Sequence, residues 1–302
     1  MLKKGLIGFI IILIGIGITL FIVASKSEQG ISKPGLTVAN EDVVEEQQVE
    51  DTEEVNDSTS NDNESEIEKE SELGHILTEG IHKVFEVFQN NEYHISAIGD
   101  SLTQGVGDET ENGGFVGILE SQLNHDNQQV TFDNFGKRGN RTDQLLTRLK
   151  EPDIIDSIKK ADIVIFTIGA NDIMQVAKEN FTNLTYEVFA KEQINYEDRL
   201  RQIIETTRDL NSNAEIYLIG FYNPFIEYFP EVKELDQIVT EWNRTAKLII
   251  EQDTEGTFIP TKDLFQNSEV RLLADDHFHP NYSGYQRIAE RVLDYVTEPQ
   301  SE

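Results

Sequence analysis

Cysteine is absent from the 302-residue chain. No disulfide framework, thiolate metal site or catalytic thiol is therefore available to it. The absence does not fix a compartment, because a large core needs no staples. Cations are scarce as well: 25 Lys and Arg face 56 Asp and Glu, a net charge of −31. So acidic a chain, with no basic stripe, argues against nucleic acid as a partner. Anionic lipid headgroups would repel it too. Residues 26–72 contain no aromatic residue at all, so no packed core is expected there.

What is present falls into three regions. Lys3 and Lys4 precede residues 5–25, 21 residues without a charge and rich in Ile, Leu and Gly. About 20 apolar residues span a bilayer. Lysines on the N-terminal side would stay cytoplasmic and leave the rest of the chain outside. Residues 1–25 are thus expected to be an uncleaved single-pass membrane anchor. The alternative is a signal peptide, since Val23, Ala24 and Ser25 offer small residues for cleavage and secretion. Residues 41–72 hold fifteen acidic residues and one lysine, so residues 26–72 read as a solvated, self-repelling linker. Residues 73–302 carry the remaining −20 and suffice for one globular domain.

In that domain apolar runs alternate with amphipathic stretches. Strands are expected at 93–99, 130–135, 161–168, 214–221 and 257–260. Helices are expected at 76–88, around 115–123, and at 144–150, 196–210, 235–252 and 283–296. Asn140 or Thr142 is placed to cap the helix at 144–150. Trp242, the only tryptophan, reads as packing. Residues 173–195 have weak periodicity and stand as a candidate flap. Strand–helix alternation repeated five times predicts an α/β fold, a parallel sheet covered on both faces.

Ser101 follows the first apolar run in Ile98-Gly99-Asp100-Ser101-Leu102, at the carboxyl end of a strand, where open α/β sheets build their sites. Gly105 and Gly107 allow the following chain to pass close to a bound group. A serine needs a base. Of six histidines, His75, His82, His94 and His125 have no acidic partner at a telling spacing. His279 does, in Asp275-Asp276-His277-Phe278-His279-Pro280. Asp276 lies three residues before His279, so its carboxylate can reach the Nδ1–H and leave Nε2 free to take the serine proton. Asp275, Asp276, His277 and His279 could alternatively hold a metal, but no further ligands cluster with them. Asp100 and Asp172 read as organisers of loop and helix ends.

Gly99-Asp100-Ser101-Leu102, Asn134-Phe135-Gly136 to Gly139, Gly169-Ala170-Asn171-Asp172 and Asp276-x-x-His279 occur in this order. Together they resemble the four blocks of the SGNH (GDSL) hydrolase family, small bacterial lipase/esterase-like members above all, over residues 93–296. The resemblance implies a three-layer, flavodoxin-like fold with five parallel strands in the order 2-1-3-4-5. It implies Ser101 as nucleophile, His279 as base and Asp276 as orienting acid. It also implies an oxyanion hole from the Ser101 N–H, the Gly139 N–H and the Asn171 side-chain amide. Gly139 is preferred to Gly136 because it directly precedes the expected capping residues.

The resulting expectation is a serine esterase or lipase outside the cytoplasm, anchored or secreted, working as a monomer without metal or organic cofactor. Its substrate would be a small O-acyl ester: a lipid, an acylated sugar or a cell-wall O-acyl group. The alternative is a non-catalytic binding module for acylated glycans or lipids on the same fold.

Overall fold

The computed structural model describes residues 92–124, 130–180, 182, 185–224 and 233–297. The expected anchor, the acidic linker and the expected helix at 76–88 lie outside the described residues. Among those described, no helix is long and apolar enough to cross a membrane.

Five strands form one parallel sheet: β1 (Tyr93–Gly99), β2 (Val130–Gly136), β3 (Ile163–Thr167), β4 (Glu215–Ile219) and β5 (Gly256–Ile259). Their spatial order is β2-β1-β3-β4-β5. This is the order the family resemblance implies. The chain turns from β1 outward to β2 and then returns to β3 on the other side of β1. That reversal opens a crevice at the carboxyl ends of β1 and β3.

The sheet is buried on both faces because each central strand is apolar in both registers. In β3, Val164 and Phe166 face one core, and Ile163 and Ile165 the other. All five β3 residues are buried, as a strand covered on both faces requires. On the first face lie α3 (Thr142–Arg148), α4 (Pro152–Lys160), α5 (Ala170–Glu179), α6 (Tyr186–Leu210) and α7 (Lys233–Ile250). On the second lie α2 (Gly114–Leu123) and α8 (Tyr282–Thr297). Each fully buried Ile, Leu, Val or Phe here contributes about 1.5–3 kcal/mol through its removal from water. Trp242 packs inside the first core, stacked on Tyr196 at 4.8 Å.

Three local expectations need correction. The described residues of 173–195 do not stand apart as a flap. They form most of α5 and the start of α6, and Phe189 lies inside the first core. The buried positions of α6, Phe189, Tyr196, Leu200, Ile203, Ile204 and Thr207, follow a helical stripe. Val188 and the exposed Ile194 blur that stripe in the sequence. The second correction is α4, a helix not expected from the sequence. Pro152 starts it, with φ already suited to a first helical turn. The third concerns α3, which begins at Thr142 rather than at 144. Neither Asn140 nor Thr142 caps it through its own side chain. The Thr142 N–H instead donates to Asp172 Oδ2 at 3.1 Å, from the start of α5.

Candidate active site

Ser101 opens the short helix α1 (Ser101–Gln104) directly after β1. Asp100 caps that helix by accepting the Leu102 N–H at 3.0 Å. Its own N–H donates to the Thr167 carbonyl at the end of β3, at 3.1 Å. The nucleophile turn is therefore tied to both strands that flank the crevice. Ser101 is 6 % exposed.

Burial pushes the Asp100 carboxyl up to about 7, against hydrogen bonds from the Leu102 N–H and the Thr167 hydroxyl. The neutral acid is thereby favoured below about pH 7 and the carboxylate above it.

His279 arrives on a narrow loop. Leu273 bridges Pro280, the Ala274 N–H donates to the His279 carbonyl at 2.8 Å, and the Asn281 N–H to the Leu272 carbonyl at 2.9 Å. Within this loop Asp276 Oδ1 accepts the Phe278 and His279 N–H groups at 3.0 and 2.9 Å. Asp276 Oδ2 lies 2.5 Å from His279 Nδ1. The other ring nitrogen, Nε2, lies 2.9 Å from Ser101 Oγ. Three side chains thus form one continuous hydrogen-bonded line across 178 residues of sequence.

His279 is 2 % exposed, whereas the Asp276 side chain is 38 % exposed. Burial alone would raise the Asp276 pKa. The hydrogen bond and charge of His279, with the two N–H groups, outweigh it and hold the carboxyl at about 2. The acid is therefore ionised wherever the protein would work, and Nδ1 is kept as the donor.

Neighbouring segments fix this loop. At Gly107, with φ +96°, an added Cβ would strike the Pro280 carbonyl oxygen and His279 Cβ. Glycine is thus required there by packing against the histidine loop, not by a bound group. The Tyr222 hydroxyl donates to the Phe278 carbonyl at 2.7 Å, while its ring stacks on Phe265 at 4.0 Å.

The second side of the crevice is the loop between β2 and α3. Gly139 has φ +77° and open space where a Cβ would stand. The Asn171 amide, in the first turn of α5, donates to the Asn140 carbonyl at 3.1 Å and to Asp100 Oδ2 at 3.4 Å. One side chain thereby links the residue after Gly139 to the residue before Ser101. Asn171 and the residues next to Gly139 and Ser101 thus share one hydrogen-bonded patch.

Sequence reasoning took Asp172 for an organiser of helix ends but missed the partners that hold the patch. Asp172 is buried, accepts from the Thr142 N–H and hydroxyl, and pairs with Arg199 at 3.0 Å. Burial raises its pKa, while Thr142 and Arg199 act to lower it. A carboxylate so enclosed persists only with partners of this kind. Arg199 lies in α6, 27 residues from Asp172, and no local pattern marks it. Among the other histidines, His94 has an acidic partner that no short sequence spacing marks. Its Nε2 lies 2.9 Å from Asp133 on the neighbouring β2. The pair forms only because β1 and β2 lie side by side. His277 is exposed. His75, His82 and His125 lie outside the described residues.

A strand-end serine, a buried histidine and a carboxylate thus stand in line on an order-reversed parallel sheet. The chain belongs to the GDSL-like lipase/acylhydrolase family, whose model matches residues 97–287. It is accordingly an ester-hydrolysing serine hydrolase. It is similar to the protein YpmR of Bacillus subtilis, 39 % identical over 223 residues, which cover 72 % of this chain and 87 % of that one. It is also similar to the spore germination lipase LipC of Bacillus licheniformis, 31 % identical over 65 % of this chain and 93 % of the relative. Among solved structures, a lipase from a goat rumen metagenome is 28 % identical, with a TM-score of 0.60, over 68 % of this chain and 97 % of its own. A catalytic mutant of an acetylxylan esterase from Geobacillus stearothermophilus shares the fold at 21 % identity and a TM-score of 0.54, over 71 % of this chain and 99 % of its own.

Proposed function

We propose that this chain hydrolyses O-acyl esters with Ser101 as nucleophile, His279 as general base and Asp276 as the acid that orients it. The observation that carries the reading is the line Ser101 Oγ, His279 Nε2, His279 Nδ1, Asp276 Oδ2, with steps of 2.9 and 2.5 Å. Ser101 Oγ attacks the acyl carbonyl carbon while its proton passes to His279 Nε2. The imidazolium that forms is stabilised by Asp276, which at about 2 is too acidic to take the proton itself. Negative charge develops on the carbonyl oxygen. The Ser101 N–H, the Gly139 N–H and the Asn171 amide are the donors assigned to it, the Asn171 amide giving up its long 3.4 Å bond to Asp100 Oδ2 to do so.

Collapse of the tetrahedral intermediate expels the alcohol, which takes the proton from His279. Water then attacks the acyl-serine with His279 again as base; as the acyl–Oγ bond breaks, His279 returns that proton to Ser101 Oγ and the carboxylic acid leaves. None of these steps asks for a metal or organic cofactor.

Residues 5–25, uncharged and long enough to span a bilayer, support a placement outside the cytoplasm, with the acidic stretch 26–72 as tether. The lipase relatives support a lipid ester among the O-acyl substrates. A fluorophosphonate probe tests the assignment. It should label the wild type and not Ser101→Ala, whose kcat should fall by several orders of magnitude with the fold intact. Ester turnover near the wild-type rate in folded Ser101→Ala would reject it.

A further inference from the structure

Arg148 is the last residue of α3, and its guanidinium turns inward beneath the donor loop. The Nη1 group donates to Asn140 Oδ1 at 2.8 Å, and Nη2 to the Phe135 carbonyl near the end of β2 at 2.9 Å. Nη1 also lies 3.5 Å from the Gly99 carbonyl, two residues before Ser101. The nearest carboxylate, Glu151, stands 3.9 Å from Nε and is half-exposed. The strong contacts of this cation are therefore neutral oxygens of the site's framework, not an ion pair. The Arg148 side chain is only 11 % exposed.

Asn140 is the residue on which these bonds converge. It is buried, it follows Gly139, and its backbone carbonyl accepts the Asn171 amide. Its side chain reaches Arg148, and its own amide donates to the Arg141 carbonyl at 3.0 Å. Two of the three oxyanion donors thus stand within one residue or one hydrogen bond of Asn140.

We propose that Arg148 is a positioning residue: its guanidinium fork, bonded to Asn140 and Phe135, holds the Gly139 N–H and the Asn171 amide in register with Ser101. The inference rests on the oxyanion hole proposed above. A planar fork suits the task because it spans two acceptors at a fixed separation. A lysine ammonium is a single flexible point charge and cannot hold both. Donors displaced by even 1 Å can lose on the order of 10²-fold in rate.

The test uses the full chain with Arg148→Lys and Arg148→Met. A soluble ester gives kcat and KM. An alkylboronic acid reports the tetrahedral adduct at Ser101, and the carboxylate product reports ground-state binding. For Arg148→Lys, kcat should fall by about 10–100-fold with KM within about threefold. Boronate affinity should fall in proportion to kcat/KM, and carboxylate affinity should hold.

Combining Arg148→Lys with Asn140→Ala should cost less than the sum of the two, since both act through one bond. In Arg148→Met, millimolar methylguanidinium should restore part of the rate. If the Met variant does not fold, the Lys variant decides the matter. Wild-type kcat and boronate affinity in Arg148→Lys would overturn the proposal. So would equal loss of boronate and carboxylate binding, or full additivity with Asn140→Ala. Turnover persisting in Ser101→Ala, measured alongside, would instead mark failure of the site assignment itself.

Discussion

The two sides of the crevice are built in different ways. The histidine side is local. Asp276 and His279 are three residues apart, and one bend of chain makes three hydrogen bonds between Asp276 and its successors. Its acid is partly open to solvent. The donor side is assembled from distant pieces. Asn171 follows β3, Gly139 follows β2, and they meet through the Asn140 carbonyl. Asp172, Arg199 and Arg148 hold them there with buried charge. A local turn needs little more than its own covalent spacing. An assembled patch needs the whole sheet order, and buried polar groups that are costly unless every partner is present.

The largest effect should come from breaking the local side. Asp276→Asn keeps the shape but loses the anion that fixes the tautomer, and kcat should fall by about 10⁴-fold. Asp276 stays ionised down to about pH 2, so its stabilising contribution is present at neutral pH and is lost only as pH falls through that value. The acid limb of a kcat/KM profile should therefore show no step from the Asp276 carboxyl above pH 3. A fully active Asp276→Asn variant would remove the acid from the site.

The donor side should be weaker per group. Asn171→Asp puts a carboxylate where the oxyanion develops and directly against the Asn140 carbonyl. We expect a loss of about 10²–10³ in kcat, with the fold retained. Steady-state kinetics at neutral pH check this, and full activity would place Asn171 outside the hole.

A pH experiment sharpens the contrast between the two acids. Asp100 is raised to about 7 where Asp276 is lowered to about 2. For a raised carboxyl, stability is fully present below the unfolded value of 3.8 and is lost as pH climbs through about 7. Asp100→Asn mimics the neutral acid and should unfold at nearly the same denaturant concentration as wild type at pH 4. By pH 8 it should be more stable than wild type, by a few kcal/mol at most. A difference that does not change with pH would mean that Asp100 keeps its charge in the fold.

The smallest effect should come from the N-terminal regions, since every residue assigned to the site lies after position 90. A chain beginning at Leu73 should hydrolyse a soluble ester with kcat/KM within about threefold of the full chain. One beginning after Phe88 should unfold at lower temperature, because the expected helix at 76–88 carries an apolar face. A folded but inactive Leu73 chain would show that the tether takes part in the site.

The sequence by itself determined the strands, their alternation with helices and the serine and histidine turns, while the strand order came only with the family resemblance. Those signals are short-range: an apolar register readable along one strand, or a carboxylate three residues from an imidazole. Gly139 and Asn171 were legible only through the family's blocks, since nothing adjacent to either names its role. The α6 stripe was blurred by Val188 and Ile194, and α4 was not expected at all. Only the tertiary structure decided that Asp172 caps α3, that Arg199 neutralises it, that Arg148 grips Asn140, and that Gly107 exists to clear His279. Most of those partners lie on different elements, and packing rather than a short-range pattern brings them together. Periodicity records which face a residue turns toward the core, whereas the neighbour it meets there is set by the packing of elements far apart in the chain.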